Sequence, residues 1–317
     1  MKKLAYLLWL SISFSATAVE KEQATTWLDT LSQSLKERNF STSFVVVKNN
    51  QAEPYHWFHG LNEQGEELEV LSILNGPRRD VLRKSDVVSY IEPELPPYSI
   101  ATRHISGPIP AILRGNISSL ASSYDFISVG RSRILGRTAQ LIRIVSKDQH
   151  RYGYWLWLDQ DTGLLLKLAL LTRKGQLLEQ IQFTHLDITE KPAEALRQLQ
   201  KADLPPVIDL PTNNPSNDMA WEVKWLPEGF EKIKANRHRI FTTKQPVEFM
   251  LFSDGLVDVS VYISASKDKQ RAVEFAMDGA TVVLNKVVNG FEVSVVGKIP
   301  SQTAKAIADS VTLLTKP

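Results

Sequence analysis

The sequence predicts an α+β protein of two domains, a long antiparallel β meander with helices packed on it followed by a smaller α+β unit. Three observations carry this reading. From Phe40 to about Asp187, short β-rich segments alternate with turn residues at close spacing. The stretch DLPPVIDLPTNNPSND, 203–218, then breaks all periodicity and reads as an extended, semi-rigid connector. Beyond it, alternating strands with two-residue turns at Asp254-Gly255 and Asn289-Gly290 lead into one last amphipathic helix.

The first element is a leader. MKKLAYLLWLSISFSATAVE has two lysines, an apolar run from Leu4 to Phe14, and Ala16-Thr17-Ala18 before Val19. That is the pattern of a secretory signal peptide, 1–18, and the run is too short to span a bilayer. The chain contains no cysteine, which excludes disulfides, thiolate metal sites and a lipid-modified N-terminal Cys. Without Lys2 and Lys3, the 37 Lys and Arg fall level with the 35 Asp and Glu, so the balance implies no nucleic acid.

Residues 20–38 follow as an amphipathic helix, with Ala24, Trp27, Leu28, Leu31 and Leu35 on one face. The meander turns at Asn49-Asn50, Gln64-Gly65, Lys84-Ser85-Asp86 and Lys174-Gly175. Residues 108–122 predict a helix that interrupts it, and Pro192 to Lys201 a second short one with Ala195, Leu196 and Leu199 on a common face. These elements define a first domain over 19–202 and a second over 219–317. The final helix takes Ser301 as its cap after Pro300 and sets Ala304, Ile307, Ala308 and Val311 at core spacing.

No constellation of catalytic residues is present: no G-x-S-x-G, P-loop, G-x-G-x-x-G after a strand, or H-E-x-x-H. His56 and His59 lie on opposite faces of a predicted strand and make a poor metal pair. The expectation is a protein that is not an enzyme, with no metal and no cofactor.

Two features stand above this background. In RYGYWLWLDQDTGLLLKLALL, 151–171, the apolar residues do not alternate with polar ones, so both faces of the hairpin need apolar company. A helix explains one face; the other is either filled by the protein or left as a cavity for an acyl chain, which gains about 0.8 kcal/mol per buried methylene. Parity leaves open whether Trp155 and Trp157 or Tyr154 and Leu156 face that cavity. Gly153 beside the tryptophans favours Trp155 and Trp157, with Trp57, Leu166 and Leu168 as further lining residues. The second feature is local basic charge: Arg131, Arg133, Arg137, Arg143, Lys147 and Arg151 against Asp148 alone, and Arg78-Arg79 elsewhere. A solvated outer face accounts for it; guanidinium forks also suit phosphate, which makes Arg78, Arg79, Arg131 and Arg133 candidates for a lipid head group.

Several long strings are distinctive: NGPRRDVLRKSDVVSYIEP, YDFISVGRSRILGR, KADLPP, WLPEGF, FSDGL and VVGKIPSQTAKAIADSV. With the hairpin they resemble, in order and from about residue 25 to 312, the RseB/MucB family of sigma-E regulators. The resemblance implies a curved, incompletely closed antiparallel β-barrel around helices, similar to the lipoprotein carriers LolA and LolB, with a smaller α+β domain behind it. It implies a soluble periplasmic regulator of envelope stress that binds the periplasmic part of the anti-sigma factor RseA, shields it from the protease DegS, and releases it on sensing lipopolysaccharide or mislocalised lipoprotein. The family brings no catalytic motif. Aromatic residues of the second domain, Trp221, Trp225, Phe230 and Phe252, become candidates for partner binding, and homo-oligomers are compatible with the family. The rival reading is a periplasmic carrier of lipid or lipoprotein, which the extra domain after 218 disfavours.

Overall fold

The computed structural model describes residues 22–208, 219–239, 246–266 and 273–314. The leader and residues 209–218 of the connector lie outside them. Two compact units emerge: one from residues up to Val145, Gly153–Leu171 and Gln180–Ile208, the other from Ser146–Tyr152, Thr172–Glu179 and the chain after the connector.

In the first unit, helix α1 (22–37) precedes eleven strands. Six of them, β1 (Asn39–Lys48), β2 (Gln51–Leu61), β3 (Glu67–Ile73), β4 (Arg79–Lys84), β5 (Val87–Ile91) and β6 (Tyr98–Ala101), step outwards by hairpins. Two 3-10 turns, Ala111–Arg114 and Ile117–Ser122, then carry the chain to the opposite edge. There β7 (Tyr124–Ile134), β8 (Arg137–Ser146), β9 (Gly153–Asp159), β10 (Leu165–Leu171) and β11 (Leu177–Thr189) return towards β1. The order β6-β5-β4-β3-β2-β1-β11-β10-β9-β8-β7 is an open sheet whose ends do not meet. Helix α2 (Glu194–Lys201) follows and buries Leu196 and Leu199.

The turn chemistry acts as the sequence suggests. Lys48 faces Gln51 across Asn49 and Asn50, whose φ of 48° and 60° suit the short polar side chain of Asn. Residues 108–122 differ from expectation, forming two 3-10 turns in place of one helix. Pro108, Pro110 and Gly115 leave too few consecutive residues for α-helical bonding, so the backbone closes tighter three-residue turns.

Ala24, Leu28, Leu31 and Leu35 of α1 are all but fully buried. Ser34 Oγ donates to the Thr162 carbonyl at 2.6 Å, tying α1 to the turn between β9 and β10. The adjacent Gly163 has φ 75°, and a Cβ there would stand 2.5 Å from Thr30 Cγ2, so glycine is required twice over. The opening of the connector is also held. Ser99 of β6 donates its N–H to Pro206 O and its hydroxyl to Pro205 O, and its own carbonyl accepts from Ile208 N–H. Residues 205–208 are therefore part of the first unit rather than free linker.

The second unit contains β12 (Trp221–Val223), β13 (Glu231–Arg239), β14 (Pro246–Ser253), β15 (Asp258–Ala265), β16 (Glu274–Asp278), β17 (Thr281–Val288), β18 (Phe291–Gly297), α3 (Ser301–Asp309) and β19 (Val311–Leu313). Six strands form a sheet in the order β13-β14-β15-β18-β17-β16, and β12 pairs with β19. Helix α3 packs on β17 and β18 through Ala304, Ile307 and Ala308. Asn289-Gly290 is a two-residue turn, Val288 facing Phe291. Asp254-Gly255 instead belongs to a four-residue connection, because Asp254 Oδ1 accepts from the N–H groups of Leu256 and Val257 and rounds the corner more widely. The cap of α3 also departs from expectation: Pro300 holds the cap position, Ser301 starts the helix, and no side chain caps it.

Candidate functional site

Strands β2, β3 and β4 set His59, Glu69 and Arg83 side by side in register, all on the buried face. Glu69 is fully enclosed, which only multiple donors can sustain. Arg114, from the first 3-10 turn, grips it through both terminal nitrogens at 2.6 and 2.5 Å, Arg83 Nη1 adds a bond at 2.8 Å, and the Trp57 indole N–H donates at 3.0 Å. Burial by itself would push the Glu69 carboxyl up; Arg114 above all, then His59 and Arg83, hold it down at about 2. Arg83 also pairs with Glu67. His59 Nδ1 lies 2.7 Å from the Arg38 carbonyl and so carries the hydrogen, while its buried Nε2 finds no bond and stands 3.8 Å from Glu67.

Two members of this cluster, Trp57 and Arg114, reach the wall of a cleft. The Arg114 guanidinium stacks 5.1 Å from the centre of the Trp57 ring, and both residues line a space of about 400 Å³, its open mouth included. Phe44 and Leu71 complete the wall on the sheet, and Ile105, Pro108 and Ile109 cover it from the segment that leads to the 3-10 turns. Apart from His104 and the Glu69-paired Arg114 the surroundings are apolar, and because the volume counts the mouth, the cleft suits the end of an acyl chain or one large apolar side chain rather than a whole lipid.

Of the residues singled out in the sequence, Trp57 lies in this cleft. Leu166 and Leu168 are buried in the core of the same sheet and do not reach it. On β9, Tyr154, Leu156 and Leu158 take the buried face, while Trp155 and Trp157 take the other and are half-buried. That second face is covered by the protein's own cations: Arg143 sits 5.0 Å from the Trp155 ring centre and Lys167 4.8 Å from that of Trp157. The five cavity candidates are thus divided between two faces.

The basic run is likewise dispersed. Arg137 makes a two-pronged pair with Asp159, and Arg151, buried in the second unit, contacts Asp148, Asp254 at 2.6 Å and the Glu228 carbonyl while lying over Phe230. Arg131 and Arg133 are exposed near the tip of β7, Arg79 is exposed, and Arg78 bonds Asp80. Among the second-unit aromatics, Trp221, Phe230 and Phe252 are buried, Trp221 meeting Phe291 edge-on at 5.0 Å. Trp225 is half-buried against His150. Sequence reading passed over Glu69, Arg83 and Arg114. The available signal was a carboxylate and an arginine at inward positions of two strands destined to pair.

An open eleven-stranded sheet with an apolar cleft, joined in sequence to a smaller sheet and helix, defines a two-domain protein whose first domain can receive an apolar group. The chain belongs to the MucB/RseB family: the MucB/RseB N-terminal domain matches residues 23–208 and the C-terminal domain residues 215–312. It is 33% identical to the sigma-E factor regulatory protein RseB of Salmonella typhimurium over 315 residues, 98% of each chain. It is 33% identical, at the same coverage, to the sigma factor AlgU regulatory protein MucB of Pseudomonas aeruginosa. Among solved structures, a MucA/MucB complex from Pseudomonas aeruginosa matches with TM-score 0.75 and 32% identity over 93% of this chain and all of that one. MucB in complex with MucA(peri) gives 0.73 and 33% over 92% of this chain and all of that one.

Proposed function

We propose that this protein regulates a sigma-E-type factor from the periplasm by binding the periplasmic region of its anti-sigma factor. The observation that carries this is full-length similarity to a chain solved together with MucA. The leader 1–18 supports export, and among the described residues no helix is long and apolar enough to cross a membrane. Bound protein would shield the anti-sigma factor from DegS, and lipopolysaccharide or mislocalised lipoprotein would release it. For release, a ligand must prefer one state of the protein over another. The cleft lined by Trp57 and Arg114 is where an acyl end would gain most, since its walls are apolar.

The test is capture of the periplasmic segment of the anti-sigma factor by the purified chain, with and without lipopolysaccharide. Capture that lipopolysaccharide reverses is expected; no capture overturns the reading, and capture insensitive to lipid overturns the sensing half alone. Ala111, exposed at the cleft, provides a fold-sparing variant. Ala111→Trp should leave capture intact and weaken acyl-ligand binding at least about tenfold by filling the space, about 1.4 kcal/mol.

A further inference from the structure

The face of β8, β9 and β10 that turns away from the core is a lattice of indoles and cations. In register, Leu141 and Arg143 stand beside Trp157 and Trp155, and these stand beside Lys167 and Ala169. The two indoles are 6.1 Å apart, each with a cation stacked on it. The one carboxylate on this face, Asp159, is fully buried and consumed by Arg137. Among the described residues neither Arg143 nor Lys167 has a carboxylate partner, and the Arg143 Nε–H is buried without an acceptor. The face therefore carries positive charge that nothing in the described chain neutralises, on a protein whose overall charge is nearly balanced.

We infer that this face docks on an anionic lipid bilayer, with Arg143 and Lys167 meeting lipid phosphates and Trp155 and Trp157 settling at head-group depth. Charge complementarity requires an anion, and the sheet decides between a lipid surface and an acidic peptide. Strands β8, β9 and β10 are interior, so their backbone groups are taken up by neighbouring strands and offer a peptide no ladder to join. What remains is a display of side chains. Indoles and snorkelling basic residues match the head-group layer of a membrane, which needs no directional backbone bonds. This surface is separate from the acyl cleft and independent of the regulatory reading.

The experiment is co-sedimentation of the full chain with phosphatidylcholine vesicles, with and without phosphatidylglycerol, at low and high salt. Binding to the anionic vesicles alone, weakened by salt, is expected. Each basic side chain near an anionic surface is worth about fivefold, so Arg143→Gln with Lys167→Gln should weaken binding roughly thirtyfold. The charge-preserving pair Arg143→Lys with Lys167→Arg should retain it and controls for folding. Absence of vesicle binding at low salt, equal binding to neutral vesicles, or binding unmoved in a folded Gln variant each overturns the inference. Capture of an acidic peptide through the same two residues without vesicle binding would do so in favour of a protein partner.

Discussion

Glu69 shows how much of the first unit hangs on one side chain. Its carboxylate answers two arginines and an indole at once, so its loss strands buried cations as well as removing a pair. Glu69→Gln is expected to lower unfolding free energy by about 3–5 kcal/mol in urea titration. Because the folded state depresses this carboxyl from 4.5 to about 2, its contribution is complete above pH 4.5 and lost as pH falls towards 2. The stability of the unsubstituted protein should therefore fall across that window, and the part of the slope due to Glu69 should vanish in Glu69→Gln. A one-dimensional reading could not find this group. ELEVLSI looks like an ordinary strand with polar residues outward, and only the register that places Glu69 against Arg83 turns the carboxylate inward.

At the level of elements, hairpins and helices with complete local signals were legible. Asn49-Asn50 and Asn289-Gly290 carry complete turn chemistry, and the apolar face of α1 joins periodicity to burial. Where signals conflicted, backbone bonding decided: prolines cut residues 108–122 into 3-10 turns, and the Asp254 carboxylate widened a turn that Asp-Gly alone would make tight. The β9–β10 hairpin posed the hardest question, since apolar residues on both faces leave parity ambiguous until strand register puts Arg143 and Lys167 over the tryptophans. Gly163→Ala should destabilise the first unit by about 2 kcal/mol or more, from strain at positive φ added to collision with Thr30. Leu156→Ala, within the core, should cost about 2–5 kcal/mol, and Trp157→Phe on the half-covered face much less. Thermal or urea unfolding of the three variants checks the order.

Across the whole molecule, the order of segments was readable because the connector's prolines interrupt every periodicity. The short excursions Ser146–Tyr152 and Thr172–Glu179 were not. Nothing in their composition announces that Arg151 and Glu179 are buried in the second unit, where Glu179 accepts from Ala280 N–H at 3.0 Å and Lys298 at 2.5 Å. The bonds from Ser99 to residues 205–208 carry a practical corollary. They form a seam along the outermost short strand and occupy amide and carbonyl groups that would otherwise be vacant. In the full chain, Ile208→Pro removes the N–H that closes the hem on the Ser99 carbonyl and should self-associate in gel filtration more than the unsubstituted protein.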